Sequence, residues 1–135
     1  TSHDAIHYFV EKGLGLDYAF WGMIAKGCGF EEIQTIAKNA GHASAARAGQ
    51  PEHHIVELLQ AERLVECFEA EQWGPPSDNA TFIAIAAAAC ATSQVPLPLQ
   101  LPAQLDTLRS QITEFQTGWS TANAMHVAEF EWTER

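Results

Sequence analysis

After Thr81 the chain runs Phe82-Ile83-Ala84-Ile85-Ala86-Ala87-Ala88-Ala89-Cys90-Ala91, ten consecutive residues without a strongly polar side chain. Alanine favours the helix, and a helix that is apolar on every face has to be surrounded by protein. The run falls well short of the ~20 apolar residues that cross a bilayer. Its flanks, Ser77-Asp78-Asn79 and Thr92-Ser93-Gln94, are boundaries of a water-soluble fold, and Ser77 or Asp78 is placed to cap the helix. The expectation is a buried, Ala-rich central helix with Phe82, Ile83 and Ile85 at the middle of the core. An aspartate at position 85 should then cost several kcal/mol, as an unpaired charge entering the core.

A chain of 135 residues is long enough for one domain with a real core, and we expect residues 1–135 to form a single helical domain. The balance of 7 basic against 17 acidic side chains gives a formal charge of -10. Twelve of the acids and only three of the bases lie after residue 50. Such a field repels nucleic acid and anionic membrane and keeps a protein soluble. The three cysteines, Cys28, Cys67 and Cys90, are odd in number and have no CxxC spacing, so free thiols in a reducing compartment are expected. No signal peptide or membrane span is legible between residues 1 and 135, and the cytoplasm is the expected location.

Ala5, Ile6, Phe9 and Val10 recur at helical spacing, with Gly13 and Gly15 as the stop. A second helix over 18–26, opened by Asp17, gathers Tyr18, Phe20, Trp21, Met23 and Ile24 into the core. A third over 30–39 has the stripe Phe30, Ile33, Ile36 and Ala37. A long helix from Pro51 to about Trp73 turns Leu58, Ala61, Val65 and Phe68 inward, broadened by Ile55 and Leu64. Gly74-Pro75-Pro76 breaks it. In residues 94–102 three prolines forbid helix and central strand, which predicts an extended crossing pinned by Val95, Leu97, Leu99 and Leu101. Leu105, Leu108, Ile112, Phe115 and Trp119 then form the cleanest stripe in the chain, with Gly118 as a bend or end, and the tail is expected to stay helical to about residue 130. Together these readings make an all-α, compact bundle of five to seven helices.

His3, His7 and Glu11 share one helix face at a spacing that suits a metal, but any two histidines four apart give it, and a solvated polar face is the expectation. His53 and His54 with Glu57 do not converge on one helix, because adjacent residues point about 100° apart. No ExxH repeat, GxSxG, P-loop, GxGxxG or HExxH occurs. No cofactor, metal or catalytic residue is therefore expected.

Ala37 and Gly41 have the spacing of the small residue and turn glycine of a helix-turn-helix, so residues 36–47 resemble that motif. Arg47 and His42 stand where the motif is apolar, and the acidic charge opposes phosphate binding. The leading expectation is a non-catalytic, acidic helical interaction module: an adaptor, a chaperone-like protein or an accessory subunit. An enzyme without a recognisable motif and a divergent DNA reader are the alternatives. Glu62, Glu66 and Glu69 line up on the long helix as a like-charged ridge, which suits a partner with a basic surface. Self-association is the other arrangement expected.

Overall fold

In the computed structural model residues 2–36, 38, 53–121 and 132 are described. Every regular element among them is an α-helix: α1 (Ser2–Leu14), α2 (Phe20–Ala25), α3 (30–36), α4 (His53–Glu71), α5 (Asn79–Thr92) and α6 (Leu101–Thr121). The helix-turn-helix-like stretch from residue 39 onward, the start at Pro51 and the tail beyond Thr121 lie outside the described residues, save Trp132.

Three helices end in the same backbone device. Gly15, at φ 68°, follows α1; Leu16 N–H donates to the Glu11 carbonyl at 2.9 Å and Gly15 N–H to that of Lys12 at 3.4 Å. Gly27, at φ 96°, repeats this after α2, with Cys28 N–H on the Met23 carbonyl at 3.0 Å. These crossed bonds satisfy carbonyls that a helix end leaves over, and the left-handed residue they require is normally glycine. After α5 the same position is held by Gln94, at φ 61°, with Val95 N–H on the Cys90 carbonyl at 3.2 Å. The first helix therefore runs through Gly13 rather than stopping there, and Gly118 lies inside α6.

The core is built by α1, α4 and α6. α1 packs on both α4 and α6, and α5 packs chiefly on α4. Ile55, Leu58, Ala61, Leu64, Val65 and Phe68 are all buried, as their spacing in α4 predicts. From α6 come Leu105, Leu108 and Ile112, and from α1 Ile6, Val10 and Leu14. Phe115 is half-buried, edge-on to Phe9 with ring centroids 5.9 Å apart. A smaller cluster of Phe20, Ile33 and Leu58 seats α2 and α3, with Phe30 left largely exposed.

The Ala-rich helix is not the centre. α5 buries Phe82, Ala86 and Cys90, which fall at i, i+4 and i+8, while Ala84, Ala87, Ala88 and Ala91 face outward and Ile85 is 53% exposed. The physical reason is size. A buried side chain contributes in proportion to the apolar area it removes from water, about 25 cal/mol per Å², so leucine and phenylalanine take the middle and alanine is left to the edge. The expectation that Ile85 sits in the core is thereby corrected.

α5 is fastened at its start. Asp78 caps it, its carboxylate accepting the Thr81 N–H at 2.7 Å. Arg109 of α6 reaches over the Phe82 ring, 5.0 Å from its centroid, to the Glu71 carboxylate at the end of α4, the Ser77 carbonyl at 2.9 Å and the Asn79 side chain. In the following segment Val95 and Leu101 are buried, Leu97 is partly packed, and Gln60 donates to the Pro96 carbonyl at 2.9 Å. Leu99 does not help pin it, being 92% exposed in the turn before α6.

Candidate functional site

The histidine face of α1 and the acidic face of α4 meet. His7 is buried and its Nδ1 donates to Glu11 Oε2 at 2.9 Å, while Nε2 lies 3.5 Å from Glu62 Oε1. His3 Nδ1 is 3.0 Å from Glu69 Oε1, and the two imidazoles stack edge to face with centroids 4.9 Å apart. The expected solvated face is thus a seam between helices. The packing of α2 beside α1 encloses its His7–Glu11 end, with the Phe20 ring 5.8 Å from that of His7, while the His3–Glu69 end stays exposed.

Glu11, fully buried, holds the seam to α2. Its Oε2 accepts the Phe20 N–H at 3.1 Å and its Oε1 the Trp21 N–H at 2.7 Å. Those are two of the amide groups that a helix start leaves without partners. Ala19 at the N-cap position has no acceptor in its side chain, so the Glu11 carboxylate, nine residues before Phe20, takes the cap's place, and Asp17 does not open this helix. Trp21 Nε1 adds a bond to the Asp4 carbonyl at 2.9 Å.

The electrostatics of the pair are those of buried opposite charges. Burial alone lowers a histidine, but the hydrogen bond and charge of Glu11, helped by Glu62 and Asp4, more than reverse this and hold His7 above its ordinary value. Burial pushes the Glu11 carboxyl up, and the bonds from His7 and the backbone only partly pull it back. Chemically the pair is closed. Both imidazole nitrogens of His7 face carboxylates and the ring has almost no contact with solvent. Among the described residues, no three His, Cys, Asp or Glu side chains are placed to hold a metal ion. Glu57 accepts the Tyr18 N–H at 2.9 Å, and the side chains of His53 and His54 lie outside the described residues.

The ridge of Glu62, Glu66 and Glu69 is divided by this arrangement. Glu62 and Glu69 turn to the imidazoles of α1, whereas Glu66, with its side chain 54% exposed, pairs with Arg63 at 3.0 Å on the side of α4 that faces α5.

On that side lies an open groove of about 520 Å³. Cys67, Ala70, Phe82, Ile85 and Ala89 line it, and Arg63, Glu66 and Glu71 carry its charges. Burial and the nearby Glu66 charge push the Cys67 thiol up, and burial pushes Cys90 up to about 11, so neither is a ready nucleophile. The groove continues into the outer face of α5, making one apolar surface with a mixed-charge lip. Its signal was in the ten-residue run itself, since a helix apolar all round that spends only every fourth residue on its own core has the remainder to offer.

No helix among the described residues is long and apolar enough to cross a membrane. The chain matches no family model, no curated protein and no solved structure.

Proposed function

We propose that the protein is a non-catalytic helical interaction module, an adaptor or accessory subunit, whose docking surface is the outer face of α5 with the adjoining α4–α5 groove. The observation that carries this reading is that a helix without one charged residue leaves Ala84, Ile85, Ala87, Ala88 and Ala91 open to solvent. Contiguous exposed apolar surface rimmed by polar groups marks sites of association, and an apolar helix beside a groove is the geometry that receives another helix. Of the three ridge carboxylates, Glu66 belongs to this surface as its lip. Glu62 and Glu69 serve the α1 seam, which stabilises the scaffold and leaves less charge for a basic partner.

A photo-crosslinking side chain at Ala88, compared with one at exposed Glu114 on α6, tests the reading. Protein adducts, to a copy of this chain or to another protein, are expected from position 88 and not from position 114. Equal yields at both positions, or none at 88, would remove α5 as a docking surface.

A further inference from the structure

We infer that the occupant of this face is a second copy of the chain, docked α5 against α5 across a two-fold axis. The inference rests on the module reading and names its partner. Three observations favour a copy over a basic helix. The first is charge. Residues 51–135 hold twelve acids and three bases, and the chain carries -10 overall, so two copies repel almost wherever they touch. Residues 79–92 contain no Asp, Glu, Lys, Arg or His, and a contact there brings no like charges together, while offering a basic partner nothing to pair with.

The second observation is the lip. Arg63 and Glu66 place one cation beside one anion at the edge of the groove. An isologous contact requires a surface that is its own complement, and a neutral pair of this kind satisfies that condition where an all-acidic ridge does not.

The third is shape. Ala84, Ala87, Ala88 and Ala91 stand at i, i+3, i+4 and i+7, so two such helices approach closely, and Ile85 is the one bulky side chain on the face. A half-exposed isoleucine that forms one wall of a groove also lined by Cys67, Ala70 and Ala89 offers a knob beside a hole, and a two-fold axis uses each twice.

Sedimentation of the full chain from micromolar to millimolar concentration, at low and at high salt, tests this. A monomer–dimer equilibrium is expected, with the dimer fraction rising as salt screens the repulsion between the chains. Ile85→Asp and, independently, Ala88→Lys should abolish the dimer while leaving the far-ultraviolet circular dichroism unchanged. A wild-type chain that stays monomeric at millimolar concentration in both salts overturns the inference, as does a dimer that survives both substitutions. Titration with a Leu/Lys amphipathic helical peptide separates this failure from failure of the module reading. If the chain is monomeric yet binds the peptide in a manner lost in Ile85→Asp and weakened by salt, the copy is wrong and the docking face stands. If it binds neither copy nor peptide, both readings fall.

Discussion

Removal of the Glu11 carboxylate strands three donors at once: His7 Nδ1 and the amide groups of Phe20 and Trp21. Each lies in the buried or part-buried seam, so water replaces the lost acceptor poorly. Breaking a buried charged pair by deleting one partner costs about 3 to 5 kcal/mol, and Glu11→Ala is expected to destabilise by that order in urea unfolding, with α2 released first. The pH dependence follows from the same pair. His7 is held above the ordinary 6.5, so the folded state binds its proton more tightly than the unfolded chain. The stability this gives is complete below 6.5 and is lost as pH rises through the folded value. Glu11, also raised, acts in the same direction at lower pH, from 4.5 upward. The stability difference between wild type and His7→Gln should therefore be largest below pH 6.5 and narrow above it, and a gap that widened toward alkaline pH would contradict the assignment. Gln94 is a second residue that the backbone explains. A non-glycine residue in the left-handed region costs about 1 kcal/mol or more, and Gln94→Gly is expected to raise the unfolding midpoint by an amount of that order.

At the scale of elements, the sequence showed where helices lie better than which way they turn. α4 and α6 were legible because large apolar residues recur every three or four positions against charged ones, and such a stripe has a direction. α5 was legible as a helix, with Ser77 or Asp78 as its cap, but an all-apolar run has no direction and its inward residues could not be told from its outward ones. The seam was visible only as two separate faces, His3-His7-Glu11 on α1 and Glu62-Glu66-Glu69 on α4. Nothing in a local spacing brings residues 62 and 69 to residues 7 and 3. Glu11 as a cap for α2 was hidden for the same reason, because the acceptor lies on another helix. The structure assigns unequal weight along α5, and this can be measured. Phe82 is buried, in ring contact with Phe68 at 4.7 Å between centroids, and Phe82→Ala should cost about 3 to 5 kcal/mol as a cavity opens beneath Arg109. Retention of full stability in that variant would mean that α5 is not anchored by its first turn.

At the scale of the whole molecule, the helices form a ring in which α1 packs on α4 and α6, α5 packs on α4, and α5 meets α6 through Arg109. An arrangement of this kind leaves its most apolar helix on the outside. Exposed apolar surface of that kind invites association, and the docking proposal rests on it. Ile85 separates the two arrangements: a buried central helix would place it in the core, and the structure places it half-exposed on the wall of an open groove. Denaturant unfolding of Ile85→Asp, at concentrations dilute enough to keep wild type and variant monomeric, decides between the two. A midpoint within about 0.5 kcal/mol of wild type is expected for a surface position. A loss of several kcal/mol, the cost of an unpaired charge forced into a core, would contradict the account.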